Sequence, residues 1–193
     1  RFFAGWDLAA DLCDAPNAIA QADAAGVPMG NVLPPHNEAS TNSPAFFVSA
    51  LRDAGTPDHP GGKLERIQII KGWVGEGGTY EQRVFDAAGQ KADAADLDLG
   101  TCQPSGAGAD SLCQVWRDPD FDPNQRAVYY SRVLEMPSCR WTQLRCVESD
   151  SENRPASCDD PKIPKTIRER AWTSPIWVSP PAPTTGLVSL EIH

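Results

Sequence analysis

Short apolar segments separated by turn-forming residues dominate the chain. The clearest one, Leu64 to Val74, is rich in β-branched and aromatic residues and ends at a glycine-rich stretch, residues 75–78. Thr79 to Ala87 follows it, so the pattern predicts a β-hairpin. The same criteria predict further strands at 1–6, 45–51, 111–116, 127–136 and 170–178.

Two segments bear on helix content. Residues 17–25 form a helix candidate that Asp14 could cap and that Gly26 would end. The segment 127–136 has the composition of a strand, but a short helix is an alternative because Asp122-Pro123 could begin one. We therefore expect little helix beside the strands.

Long polar connections complete the pattern at 27–44, 53–62, 88–110 and 146–165, and the chain holds 18 prolines and 15 glycines. Short strands with such loops favour a mainly β fold of the β-sandwich type, with one short helix and disulfides. We expect a single β-rich domain over residues 1–179 and an extended or disordered tail over 180–193.

Composition narrows the possible partners. Of 193 residues, 26 are acidic and 17 are Lys or Arg, so the formal net charge is −9. An acidic surface repels phosphate backbones, which argues against nucleic acid and anionic membranes as partners. No apolar run is long enough to span a bilayer. The chain opens on an apolar, strand-like segment at residues 1–6, which we interpret as a cut from a longer protein that has lost an upstream signal peptide.

Six cysteines indicate disulfides rather than a metal site. No Cys-x-x-Cys pair is present, whereas zinc sites need close pairs of ligands. Disulfides require an oxidising compartment, so we expect a periplasmic or secreted protein. Our predicted pairing joins Cys102 to Cys113 across a Gly/Ser-rich loop and leaves the other four to pair among themselves: Cys13, Cys139, Cys146 and Cys158.

Signatures of independent catalysis are missing from the sequence. His36, His59 and His193 stand alone, and no His-Glu-x-x-His or Gly-x-Ser-x-Gly string occurs. The cysteines are needed for disulfides, so a thiol nucleophile is not expected. We predict no catalytic residue in this chain.

An acidic string, Asp118-Pro119-Asp120-Phe121-Asp122-Pro123, is the sharpest local feature. Asp118, Asp120 and Asp122 alternate, and a curled loop could direct them at a calcium ion, the one cofactor that the sequence suggests. The match to an EF-hand loop is poor because Pro123 occupies the glycine position. The alternative that we favour is a series of turns begun by Asp-Pro pairs.

Six tryptophans raise the possibility of sugar stacking on a β-sandwich. Trp6, Trp73, Trp116 and Trp177 lie in predicted strands, where core packing is the more common role. Trp141 and Trp172 flank polar segments and are the better candidates for a binding surface.

Several longer strings carry a family resemblance. Ile67-Gln68-Ile69-Ile70-Lys71-Gly72-Trp73, Trp116-Arg117-Asp118-Pro119-Asp120-Phe121-Asp122-Pro123 and Arg170-Ala171-Trp172-Thr173-Ser174-Pro175-Ile176-Trp177 occur in order, with related strings between them. The series resembles the C-terminal part of the bacterial family called domain of unknown function 3604, over nearly all of residues 1–178.

The resemblance implies a parent protein larger than this chain. Family members look like exported proteins with an upstream region similar to PHP-type metal-dependent phosphoesterases, followed by a trailing β-sandwich. The metal-binding His and Asp motifs lie in that upstream region, and no position of this chain matches them. We therefore expect a non-catalytic accessory domain whose partner is the upstream catalytic domain, with an exposed apolar patch where the two meet. The alternative is an extracellular binding module, either carbohydrate-binding or calcium-stabilised.

Overall fold

The computed structural model describes residues 1–35, 43–57, 60–93 and 96–180. His36, His59 and His193 lie outside the described residues, as does the predicted tail from residue 181 onward. All six cysteines and all six tryptophans lie within the described ranges.

Most regular structure is β-strand. The strands are β1 Phe2–Gly5, β2 Val27–Pro28, β3 Val32–Leu33, β4 Ala45–Leu51, β5 Leu64–Val74, β6 Tyr80–Gly89, β7 Leu97–Asp98, β8 Gln103–Pro104, β9 Ser111–Arg117, β10 Ala127–Glu135, β11 Ser138–Cys139, β12 Thr166–Ile167, β13 Arg170–Trp172 and β14 Ile176–Val178. The helices are α1 Ala18–Ala25 and α2 Trp141–Glu148. The mainly β fold predicted from the hydrophobic pattern is confirmed, and 127–136 is a strand rather than the alternative helix.

Two main sheets organise the strands. One has four strands in the order β2-β1-β4-β9, and the other has six, with β3-β14-β10-β5-β6 in order and β13 also paired to β10. Two short ribbons, β7-β8 and β11-β12, complete the pairing. The predicted hairpin is the β5-β6 pair, whose turn holds Gly77 and Gly78 at φ values of 71° and 82°, a region that favours glycine.

The two sheets pack face to face over a shared core. Phe46 of β4 and Tyr129 of β10 lie with their ring centroids 4.5 Å apart, and Phe85 of β6 lies 4.9 Å from Trp116 of β9. The core cluster contains buried residues from both sheets. This is a β-sandwich, in which apolar side chains from the two inner faces fill the space between the sheets.

The four-stranded sheet is also buried on its outer face. Phe47 points to the side opposite Phe46 and packs in a second cluster with Phe3, Leu12 and Ala22 of α1. Leu12 begins a short N-terminal 3₁₀ turn, Leu12–Asp14. Gly26 permits the close approach of α1, because a Cβ there would lie 2.3 Å from the carbonyl oxygen of Ala4. Burial on both faces explains why Ala45 to Val48 is a continuous apolar run.

All six cysteines form disulfides, but the predicted Cys102–Cys113 bond is wrong. The bonds are Cys13–Cys113, Cys102–Cys139 and Cys146–Cys158. Cys113 lies in β9 and faces the N-terminal 3₁₀ turn rather than the loop before it, so its partner comes from 100 residues earlier in the chain. The composition of the loop before Cys113 does not indicate which distant residue lies beside it in the folded protein.

Other corrections concern the ends and interruptions of elements. The predicted strand over 170–178 is two strands, since Thr173 to Pro175 separates β13 from β14 and both pair with β10. Asn17 rather than Asp14 is the residue before α1. Helix α2 was not predicted, and its last turn extends into the segment 146–165 that was expected to be irregular, where Cys146 is joined to Cys158.

The helices that the structure describes are both eight residues long. Neither has the length or the apolar character needed to cross a bilayer.

Candidate functional site

The acidic string lies in the loop between β9 and β10, and each of its carboxylates has a protein partner. Asp118 is buried and accepts a hydrogen bond from Lys71 Nζ at 2.7 Å. Asp120 pairs with Arg83, and Asp122 accepts a hydrogen bond from the backbone N–H of Asn124. Within the described ranges, no group of three or more His, Cys, Asp or Glu side chains is placed to hold a metal ion.

Lys71, Asp118 and Tyr129 form a buried polar network inside the sandwich. The Tyr129 hydroxyl donates to Asp118 Oδ2 at 2.6 Å, and Lys71 Nζ also donates to the carbonyl oxygen of Asp120 at 2.8 Å. Burial first, and then the hydrogen bond and negative charge of Asp118, raise the pKa of Tyr129 well above its usual value. The phenol therefore remains a hydrogen-bond donor. A buried carboxylate with an ammonium group against it is an ion pair, so Asp118 already has a cationic partner, and its role as a calcium ligand stays a prediction.

Trp141 and Trp172 are both exposed, at 65% and 58%, but they lie on different elements. Trp141 begins α2, whereas Trp172 ends β13 on the six-stranded sheet. Trp172 lines a cleft that Trp141 does not reach. The structure does not bring the two predicted binding residues together in one groove, and their role in ligand binding stays a prediction.

Strand alternation shows which residues lie on the outer face of the six-stranded sheet. Tyr129 of β10 points into the core, so Val128, Tyr130 and Arg132 point outward. Residues paired across neighbouring strands share a face, and Val128 pairs with Trp177 while Arg132 pairs with Trp172. Both tryptophans therefore lie on the outer face. The sequence-based expectation of a core role for Trp177 is wrong.

One end of this outer face is apolar. Val32, Val74, Tyr80, Val128 and Trp177 make up what we call the apolar patch. Val32, Val74, Tyr80 and Trp177 are exposed by 52% to 92%, and a groove of about 780 Å³ runs beside the last three of them. Trp6, Trp73 and Trp116, in contrast, are half-buried against the core, as expected.

Sequence reasoning expected an exposed apolar patch but identified none of its residues, although one signal was available. Trp177 lies between Ile176 and Val178, both of which are buried. In a strand with one buried face, the residue between two core residues points the other way. The pairing that brings Val32 beside Trp177 is parallel and links residues 145 positions apart, so no local pattern reports it.

The other end of the outer face is rich in arginine. Arg168, Arg170 and Trp172 line a cleft of about 550 Å³ together with Pro137, Thr166, Ile167 and Glu169. We call this the arginine cleft. Arg168 is held in place because its Nε lies 2.9 Å from Glu65, a carboxylate whose side chain is fully buried.

Comparison with known proteins places the chain in a family without supplying an activity. Neither the curated proteins nor the solved structures gave a match. One family model matches residues 1–180, which is more than nine-tenths of the sequence. The chain belongs to the family described as "Protein of unknown function (DUF3604)".

Proposed function

We propose that this chain is a non-catalytic accessory domain of a larger exported bacterial hydrolase with a PHP-like, metal-dependent catalytic region. In this proposal the apolar patch packs against that upstream region of the same polypeptide. Catalysis belongs to the upstream region, and the β-sandwich supports or shapes its cleft. The starting point is the family resemblance of the strings at 67–73, 116–123 and 170–177.

The observation that carries the proposal is the clustering of exposed apolar side chains in the apolar patch, beside a groove that three of them line. Val74, Tyr80 and Trp177 are large apolar side chains exposed to solvent on a β-sheet, within a chain of net charge −9. Contiguous exposed apolar side chains rimmed by polar residues are typical of surfaces that another domain or protein covers. Gln82 and Arg126 supply polar groups at the edge of the groove.

Export has separate support. Three disulfides connect the N-terminal turn to β9, the turn between β7 and β8 to β11, and α2 to the turn after it. Such bonds persist in oxidising compartments such as the periplasm or the extracellular space.

The test is hydroxyl-radical footprinting of two proteins: this chain, and the longer polypeptide that includes the upstream region. We expect oxidation of Trp177 and Tyr80 to fall several-fold in the longer protein, because the docked region would exclude water from the apolar patch. Trp141 is the matched internal control, since it is 65% exposed, against 52% for Trp177, but lies on α2. Its labelling should stay the same.

Equal labelling of Trp177 in the two proteins would overturn the docking proposal. A second variant separates docking from folding. Trp177→Glu should leave the thermal midpoint of this chain within a few degrees, yet should restore labelling of Tyr80 in the longer protein.

A further inference from the structure

The arginine cleft combines an exposed aromatic ring with two arginines that line the same cavity. Arg170 and Trp172 are two residues apart on β13, and Trp172 pairs with Arg132 on the outer face. Alternate residues of a strand share a face, so Arg170 lies beside Trp172. The cleft volume of about 550 Å³ is in the range of small-molecule sites.

Arg170 is available to a ligand, whereas its neighbours hold the site in place. The Arg170 side chain is exposed and makes no hydrogen bond or ion pair with any residue that the structure describes. Arg168, by contrast, contacts Glu65 and donates to the carbonyl oxygen of Ala92 at 3.1 Å. One guanidinium is thus fixed and the other is free for a further partner.

The surroundings of the cleft are locally positive. A continuous set of contacts leads from Arg168 through Glu65 to Arg66, from Arg66 to Asp86, and from Asp86 through Gln68 to Arg132. With Arg170, this set holds four guanidinium groups and two carboxylates, and Glu169 in the lining of the cleft adds a third carboxylate. Because the whole chain carries a net charge of −9, a local excess of positive charge marks this end of the sheet as a place for an anion.

We propose that the arginine cleft binds a short acidic saccharide. In the bound state a pyranose ring lies on the exposed face of Trp172, and its carboxylate or sulfate accepts hydrogen bonds from Arg170. An aromatic ring offers a flat apolar surface to the C–H face of a sugar, and guanidinium groups form paired, charge-assisted hydrogen bonds with oxyanions. The proposal does not depend on docking, because the cleft and the apolar patch share no residue.

Other anions fit these observations less well. Nucleic acid requires a basic surface many phosphates long, and this chain is acidic overall. An acidic peptide would use the arginines but would leave the exposed Trp172 ring without a matching flat partner. A sugar acid uses both features at once.

The test is isothermal titration calorimetry at low salt with three saccharide probes: tetragalacturonate, a sulfated galactose tetrasaccharide and neutral galactotetraose. We expect at least one anionic probe to bind about tenfold or more tightly than the neutral one, with affinity that falls as salt increases. Arg170→Ala and Trp172→Ala should each weaken that binding by about tenfold or more. The two anionic probes distinguish a carboxylate ligand from a sulfate ligand.

Two matched controls test the location. Arg145→Ala removes an exposed arginine on α2, and Trp177→Ala removes the exposed tryptophan of the apolar patch. Both should leave the affinity unchanged. The proposal is overturned if neither anionic probe binds, if tetraglutamate binds as tightly as the saccharide, or if Trp177→Ala rather than Trp172→Ala abolishes binding.

Discussion

The two sheets of this domain differ in what lies on their outer faces. The outer face of the four-stranded sheet is covered by α1 and the N-terminal 3₁₀ turn, and a disulfide ties that turn to β9. The outer face of the six-stranded sheet presents Trp172, Trp177 and Tyr80 to solvent. Both faces are rich in large apolar side chains, so composition alone does not distinguish them.

The difference separates residues that stabilise the fold from residues that are available for contacts. On the covered face, apolar burial contributes to the free energy of folding. On the uncovered face the same kind of side chain contributes less, because it remains partly in water. Substitutions on the two faces should therefore have opposite signatures, with a loss of stability on one and a loss of binding on the other.

The largest effect is expected from the disulfide that ties down the covered face. Cys13→Ala combined with Cys113→Ala opens a link between residues 100 positions apart, which should lower the free energy of unfolding by up to about 5 kcal/mol. The matched control, Cys146→Ala with Cys158→Ala, opens a link of 12 residues and should cost about 3 kcal/mol. Urea denaturation of both variants measures the difference. Equal losses would mean that chain entropy does not set the contribution of these bonds.

Next in size is a pair of aromatic substitutions on the two faces. Phe47→Ala on the covered face should lower the free energy of unfolding by about 4 kcal/mol, because it leaves a cavity between the sheet and α1. Trp177→Ala on the uncovered face should cost less than about 1 kcal/mol. Urea denaturation of both variants measures these free energies. Comparable losses of stability in the two variants would contradict the distinction between the faces.

A smaller effect is expected at Glu135, which ends β10 of the uncovered sheet. Burial first, and then the charges of Glu169 and Asp53, raise the pKa of Glu135 above its usual value of 4.5. Ionised Glu135 therefore destabilises the fold at neutral pH, and this cost is absent below about pH 4.5.

Glu135→Gln should accordingly raise the free energy of unfolding at pH 7 by a few tenths of a kcal/mol, since the carboxylate is partly in solvent. The gain should disappear at pH 4. Glu148→Gln, on the exposed surface of α2, is the matched control and should change nothing at either pH. A gain that persists at pH 4 would show that charge is not the cause.

The smallest effect concerns calcium and the loop that precedes β10. Lys71 Nζ already lies 2.7 Å from Asp118, so added calcium or a chelator should leave the thermal midpoint unchanged. Asp118→Asn should lower the midpoint equally with and without calcium. A rise with calcium in the unsubstituted chain would restore the calcium-stabilised alternative.

The positions of the strands along the chain were largely predictable from the sequence. Which residues become neighbours in the folded protein was not. The bounds of β4 and β5 match the predicted segments residue for residue, because strand composition and flanking turn residues are local signals. The pairing of Cys13 with Cys113 was not predictable, since it depends on which strand lies beside the N-terminal turn. Helix α2 was missed because its sequence is polar overall and no capping residue precedes it: Arg140 stands before its first residue and makes no side-chain capping hydrogen bond.

The candidate site shows the same division. Exposure of Trp172 was expected from its polar flanks, and Arg168 and Arg170 lie close to it in the sequence. The guanidinium groups of Arg66 and Arg132 come from β5 and β10, far away in the sequence. Only strand pairing brings them together. The spacing of the carboxylates in the string at 118–123 is a local signal. The partner of Asp118, Lys71, lies 47 residues away and could not be predicted from that spacing.

By itself, the sequence determined a disulfide-bonded, mainly β domain, because alternation, turn residues and cysteine content act locally or through bulk composition. Only the tertiary structure decided which sheet face is covered and which side chains converge, because both depend on long-range strand pairing. Trp177 and Phe47 look alike as aromatic residues in apolar strands. Their environments differ because α1 packs on one sheet and not on the other.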